Sequence, residues 1–262
     1  MAQFLDDFYL TTVEIALSSI QSDLGVATGI LQWVISAYVL TFGGLLLLSG
    51  VCADMYGRKL VFCIGMANLT VWSLANGFAG SFIQLTVFRA LQGIGAAMTI
   101  LSALGIITNF FVEEDRLIAV TLFGASGGIG FSLGLITGGF LTASLGWRYV
   151  FYIPASVTGM IFLLACVTLP DSKQVLPQSA KLDYSGAAIS TAGLVLFTFV
   201  ISSGGLLGWS SALIIALLAL SICLLCGFVW REANASNPIM PLYLWKLPNF
   251  AASWLSVFSK LF

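Results

Sequence analysis

The chain has 262 residues, of which 59% are hydrophobic and 8% charged, with a mean hydropathy of +1.04. Soluble domains carry about 25% charged residues, so this composition excludes an ordinary soluble domain and reads as an integral membrane protein. A net charge of −1 without any basic run gives no footing for a nucleic-acid partner, and the absence of histidine removes the commonest general base and metal ligand.

A helix that crosses a bilayer needs about 20 mostly apolar residues. Run length predicts crossings near 4–21, 29–51, 60–79, 83–106, 117–142, 150–169, 185–206 and 211–231. The runs are too long for barrel strands and lack short alternation, so they are helices. Met1 passes almost directly into the first run without a basic n-region, so no cleavable signal peptide is expected. A ninth apolar stretch starts near Phe250 and reaches Phe262, too short to cross.

The first run contains Asp6, Asp7 and Glu14. Carboxylates at membrane depth are costly and point to function by default. Asp6 and Asp7 lie near the cytoplasmic end of the run, and Glu14, in its middle, could face the bundle interior or simply be a weakness of the sequence.

The second run leads into a polar island, Gly50–Leu60, with Asp54, Arg58 and Lys59 set between Gly50 and Gly57. Asp54 stands four residues before Arg58, the spacing of a pair across one helical turn. The island reads as a loop that is either merely solvated or a gate. The third run reads as lipid-facing bulk; its Asn68-Leu69-Thr70 triplet matches a glycosylation acceptor only by chance.

The fourth run carries Arg89 with Gln92 three residues on, and then Gly93, Gly95, Ala96 and Ala97. An arginine here must face protein or water, or snorkel to the outer interface. The small residues admit a neighbouring helix closely. The fifth run is glycine-rich over 124–139, with small-xxx-small pairs Gly124/Gly128, Gly130/Gly134 and Gly134/Gly138. Trp147, Arg148 and Tyr149 then form an interfacial belt. In the eighth run Cys223 and Cys226 have CxxC spacing but no second pair, which favours packing over a redox or zinc site.

The charges fix an orientation. Arg58, Lys59, Arg116, Lys173, Lys181, Arg231 and Lys246 fall after even-numbered crossings, and only Arg148 falls in the intervening connections. Basic residues stay cytoplasmic, which puts the amino terminus and the even-numbered loops inside.

Three separated stretches together resemble one family. Gly50-Val-Cys-Ala-Asp54-Met-Tyr-Gly57-Arg58-Lys59 is similar to the loop after helix two of the major facilitator superfamily. Leu85-x-x-x-Arg89-x-x-Gln92-Gly93-x-Gly95 resembles its helix-four signature, and Gly130-x-x-x-Gly134-x-x-x-Gly138-Gly139 its helix-five antiporter signature. Leu5-Asp6, Thr11-Thr12-Val13, Gly146-Trp147-Arg148 and the stretch from Lys181 to Gly186 resemble the fungal-type drug:proton antiporter branch with fourteen crossings.

The resemblance implies an all-α integral membrane fold: a six-helix amino-terminal bundle of two three-helix repeats over residues 1–170, a cytoplasmic loop at 171–184, two linker helices in 185–231, and a loop with part of a further helix in 232–262. It implies a proton-coupled exporter of small organic molecules, not an enzyme, with no cofactor and no metal. The partners it implies are the substrate, protons, the bilayer and a second, carboxy-terminal bundle. Arg89, Asp6 and Gln92 would serve proton coupling. Gly50, Asp54, Gly57, Arg58 and Lys59 would form the gating loop, and Gly130, Gly134, Gly138 and Gly139 the antiporter helix. The plasma membrane is the expected location, with an internal membrane as the alternative. Siderophore or amino-acid transport on the same fold, and a non-transporting scaffold using the glycine face of the fifth helix, are the other readings.

Three positions depart from the family pattern. Leu135 stands where the antiporter signature has proline, Cys52 where the loop has leucine, and Met55 where it has a basic residue. The family also has more apolar chain before its first-helix motif and a whole bundle after residue 250, so a truncated product that does not transport alone is expected.

Overall fold

The computed structural model describes residues 1–169 and 184–234, and every regular element among them is helical. The helices are α1 (Ala2–Leu24), α2 (Thr28–Leu31), α3 (Trp33–Tyr56), α4 (Arg58–Gly77), α5 (Phe82–Phe110), α6 (Glu113–Ser144), α7 (Tyr149–Thr168), α8 (Tyr184–Leu207) and α9 (Ala212–Asn234). The second expected crossing is divided at Gln32 into α2 and α3; the other seven each form one helix. Seven spans among the described residues are long and apolar enough to cross a membrane. The exception is α1, whose 23 residues suffice in length but include Asp6, Asp7, Glu14 and Asp23. The expected connections around Lys173, Lys181 and Lys246, and the stretch from Phe250, lie outside the described residues.

In the bundle, α1 runs along α6, α5 lies between α3 and α4, and α4 also packs on α7. The α8–α9 pair attaches through α8 to α3. Close approach explains these pairings. Gly44 of α3 sits against Val195 of α8, so a Cβ there would collide with the valine side chain. Gly93 of α5 lies against the backbone at Tyr38, and Gly95 lies 2.8 Å, measured from an added Cβ, from the Gly65 carbonyl of α4. Without a hydrophobic drive between helices in lipid, such close contacts supply the association.

The third crossing is not lipid-facing bulk. Val61, Phe62, Gly65, Met66, Leu69, Ser73, Asn76 and Gly77 of α4 are buried. Ser73 Oγ donates to the Phe151 carbonyl of α7 at 3.0 Å, and Asn68 Oδ1 lies beside Gly95. The apolar sequence hid this because a helix facing protein and one facing lipid can have equal hydropathy.

The two ends of the bundle carry different charged groups. At one end Arg58 bonds the Gly105 carbonyl near the last turns of α5, two turns from the connection to α6 where Arg116 follows. At the other end Arg148 Nη1 pairs with Asp23 Oδ2 at 2.8 Å, Trp147 Nε1 donates to the same oxygen at 3.0 Å, and the Arg148 guanidinium lies 4.5 Å from the Trp147 ring centre. These donors hold the Asp23 carboxyl below its ordinary value of 3.8, first through the Trp147 N–H and then through Arg148. A depressed carboxylate contributes stability that is full above the ordinary value and is lost as pH falls through the folded-state value. Asp23→Asn is therefore expected to flatten the acid side of the thermal-stability profile in detergent, with no change in shape near neutrality. An unaltered acid limb would show that this exposed cluster does not couple to folding.

Candidate functional site

Arg89 is fully buried inside the bundle, about two turns into α5, and is not snorkelled to an interface. A guanidinium cannot be left there unsatisfied. Its Nε donates to the Val34 carbonyl of α3 at 3.0 Å, and its Nη1 donates to Gln92 Oε1 at 2.8 Å. The Arg89 Cζ lies 4.2 Å from the centre of the Tyr38 ring, a stacked cation–π contact. Arg89 and Gln92 are one turn apart on α5, as their spacing suggested, and Gln92 Oε1 also accepts from Asn76 Nδ2 of α4 at 3.0 Å. The Nη2 atom makes no hydrogen bond among the described residues.

Tyr38 carries the network to α1. Its hydroxyl donates to Asp6 Oδ1, and both side chains are buried. The line Asp6–Tyr38–Arg89–Gln92–Asn76 thus connects α1, α3, α5 and α4. Tyr38 and Asn76 were not among the residues the sequence singled out. The available signal was a polar side chain within an apolar run, since a buried tyrosine hydroxyl or amide requires a partner. Close by, the Tyr9 hydroxyl shares a 2.9 Å hydrogen bond with Thr158 Oγ1, which joins α1 to α7.

Tyr38→Phe removes one hydroxyl and leaves the Asp6 carboxyl without its donor. An unsatisfied buried group costs about 1–3 kcal/mol, so a clear fall in the midpoint of thermal unfolding in detergent is expected. A midpoint equal to that of the unaltered chain would show that Asp6 finds water or another donor.

The other acidic residues of α1 stand apart from this network. Asp7 accepts from Gln3 Nε2 at 3.0 Å and lies against Gly127 of α6. Glu14 is exposed and does not face the bundle interior.

The polar island is not a loop. Helix α3 continues through Asp54 to Tyr56, Gly57 makes the corner alone with φ +96°, and α4 begins at Arg58. Only glycine adopts that conformation without strain. The expected pair forms: Arg58 Nη2 and Nε reach Asp54 Oδ1 at 2.8 and 3.0 Å. Arg58 Nη1 also bonds the Gly105 carbonyl, and a Cβ at Gly105 would lie 2.6 Å from Arg58 Nε. Gly105 is therefore part of the corner, which the local sequence could not reveal. Gly50 lies one turn before Asp54, inside α3, with Leu101 Cδ1 2.8 Å from the position of an added Cβ. Lys59 is half-buried in the first turn of α4.

The glycines of α6 divide into two faces. Gly127, Gly130, Gly134 and Gly138 form a buried stripe pressed on α1. A Cβ at Gly134 would lie 2.6 Å from Thr11 Oγ1, one at Gly138 2.9 Å from Thr12 Cα, and one at Gly130 would strike the Phe4 carbonyl. Gly124, Gly128 and Gly139 meet nothing within 4 Å. The Gly124/Gly128 pair and Gly139 are thus outside the seam expected of them. With Leu135 in place of proline, the helix runs unbroken from Glu113 to Ser144.

Comparison with known proteins agrees with this architecture. The family model described as Major Facilitator Superfamily matches residues 1–230. A Major facilitator superfamily multidrug transporter of Aspergillus fumigatus is 34% identical over 260 residues, covering 99% of this chain and 50% of that protein. The puromycin resistance protein of Streptomyces alboniger is 38% identical, covering 88% of this chain and 46% of its own length. The cephamycin export protein of Amycolatopsis lactamdurans is 36% identical, covering 95% and 51%. Among solved structures, a peptide transporter POT in complex with sulfate aligns with a TM-score of 0.63 at 16% identity, covering 90% of this chain and 52% of that one. The chain spans about half the length of the curated relatives it matches. With the matched model extending over nearly all of the described helices, the chain belongs to the Major Facilitator Superfamily.

Proposed function

We propose that this chain supplies the amino-terminal bundle of a proton-coupled exporter of small organic molecules. The observation that carries the reading is the buried line from Asp6 through Tyr38 to Arg89. A carboxyl group in contact with a tyrosine hydroxyl, with a fixed cation stacked on the same ring, can hold or release a proton as access alternates between the two faces. Arg89 places a fixed positive charge on the Tyr38 ring, and Tyr38 supplies the hydrogen bond that orients the carboxyl. Gln92 and Asn76 hold the guanidinium in place. Export as the direction, and drug- or antibiotic-like molecules as the cargo, follow the relatives, whose names include multidrug transport, puromycin resistance and cephamycin export.

In this reading α1 to α7 form the bundle, α8 and α9 are the linker pair, and a second bundle completes the substrate path. The Asp54–Arg58–Gly105 corner latches the cytoplasmic ends of α3, α4 and α5 in one of the two states. Gly130, Gly134 and Gly138 keep α1, and with it Asp6, in register on α6. The protein acts as a carrier in the plasma membrane and transforms no substrate. The buried glycine stripe of α6 is occupied by α1, which favours the carrier reading over a scaffold that would dock through that stripe.

The test is reconstitution into proteoliposomes of the polypeptide joined to, or co-expressed with, a second bundle, under an imposed pH gradient. Movement of a lipophilic fluorescent organic compound that depends on the gradient is expected, and the present chain alone should move none. Absence of gradient-driven movement by the completed protein across a panel of such compounds would overturn the reading.

A further inference from the structure

We propose that Thr41 is a positioning residue for Arg89: its hydroxyl is a releasable brace that holds α5 at the height on α3 where the guanidinium stacks on Tyr38. This role rests on the proton-coupling reading and adds to it the side chain that sets the geometry of the stack.

Helices α3 and α5 run in the same direction, since Val34 meets Arg89, Tyr38 meets Gly93 and Gly50 meets Leu101. Two side-chain bonds cross this seam in opposite senses. Arg89 Nε on α5 donates to the Val34 carbonyl of α3 at 3.0 Å. The half-buried Thr41 on α3 donates through Oγ1 to the Ala90 carbonyl of α5 at 2.7 Å. Val34 and Thr41 stand seven residues apart, two turns along one face of α3, with Tyr38 between them. On α5 their partners are the consecutive residues Arg89 and Ala90. The guanidinium, with Cζ 4.2 Å from the Tyr38 ring centre, is therefore flanked by a cross-helix bond on either side. Gly93 makes the approach possible. A Cβ there would strike Thr41 Oγ1 and the Tyr38 carbonyl, and would lie 3.2 Å from the Phe42 nitrogen. A slide of α5 by one turn, about 5.4 Å, breaks both bonds and takes the guanidinium off the ring.

The brace can open because its donor has somewhere else to go. A hydroxyl carries one proton. Three carbonyls lie within its reach: Ala90 across the seam at 2.7 Å, and Ala37 and Tyr38 on its own helix, each at 3.1 Å. The shortest of the three, the one between helices, takes the proton. When α5 moves away, the proton turns to Ala37, the acceptor four residues back that a helical threonine commonly uses. No donor is stranded by the change, so the seam can part and close without the cost of an unsatisfied group. Serine would keep this switch of acceptors, whereas valine would keep the shape of threonine without any donor.

The stack is read first in this chain, in lipid nanodiscs, with isotope-labelled arginine and nuclear magnetic resonance. The Arg89 Nε–H resonance is assigned by its loss in Arg89→Lys, and Tyr38→Leu gives its position without the ring beneath it. Thr41→Val is expected to move the resonance most of the way to that position, and Thr41→Ser to leave it in place. In the completed transporter, Thr41→Val should lower the turnover of gradient-driven export about fivefold, with the half-saturating cargo concentration unchanged and turnover restored by serine. Thr41→Ala repeats both measurements if the valine methyl disturbs the contact with Gly93. An unmoved resonance in the valine and alanine variants, or an equal displacement by serine, would overturn the proposal. So would unchanged turnover beside a moved resonance. If the completed protein exports nothing under a pH gradient, the proton-coupling reading fails by itself, and the resonance still decides whether Thr41 holds the stack.

Discussion

Arg89→Ala in the completed transporter is expected to abolish export driven by a pH gradient while the protein still inserts into the membrane. Insertion depends on the apolar runs, which the change leaves intact. Coupling depends on the charge. Alanine removes the donors to the Val34 carbonyl and Gln92 Oε1 and the cation stacked on Tyr38. The acceptors left behind are buried, at about 1–3 kcal/mol for each unsatisfied group. Lysine is not an adequate replacement. A single ammonium cannot stack on the ring while donating to both a carbonyl and an amide set by a planar fork. Arg89→Lys should therefore insert normally and transport poorly. Vesicle uptake assays at matched protein levels read both outcomes. Gradient-driven export retained in the alanine variant would sink the proton-coupling role given to Arg89.

Gly134→Leu is expected to displace α1 from α6 and lower the unfolding midpoint in detergent substantially. Overpacking a core commonly costs about 1–3 kcal/mol. The cost here should lie at the upper end, because the facing atoms include the Phe8 carbonyl, 3.1 Å from an added Cβ, which cannot rotate away. The same displacement carries Asp6 away from Tyr38, so loss of stability and loss of the site should occur together. The control is Gly124→Ala. Nothing lies within 4 Å of its added Cβ, and alanine is the better helix former, so no loss is expected. If both variants unfolded at the same temperature, the division of α6 into a seam and an open face would be wrong.

Much of this molecule could be read in one dimension. Hydropathy located the crossings, and the spacing of the basic residues put Arg58 and the α5–α6 connection at one end of the bundle. Arg89 was legible because a guanidinium in an apolar run is expensive enough to demand an explanation, and Gln92 because it lies one turn away. The Asp54–Arg58 pair was legible for the same local reason. Where the reading erred, the error concerned faces. The sequence of the third crossing reads as facing lipid, yet Asn76 and Ser73 there complete contacts to α5 and α7. The charges of the island at 50–60 read as a loop, although one glycine makes the whole turn, and Glu14, which the sequence leaves open, is exposed.

The sequence alone determined that this chain is helical and membrane-spanning, because those properties depend on the cost of moving each residue into hydrocarbon. Only the tertiary structure decided that Tyr38 links Asp6 to Arg89, that Gly105 supports the corner, and which glycines of α6 receive α1. In water a buried face is marked by being more apolar than its opposite. In lipid both faces of a helix are apolar, so the inner one is distinguished by shape and by a few polar contacts whose partners lie on other helices.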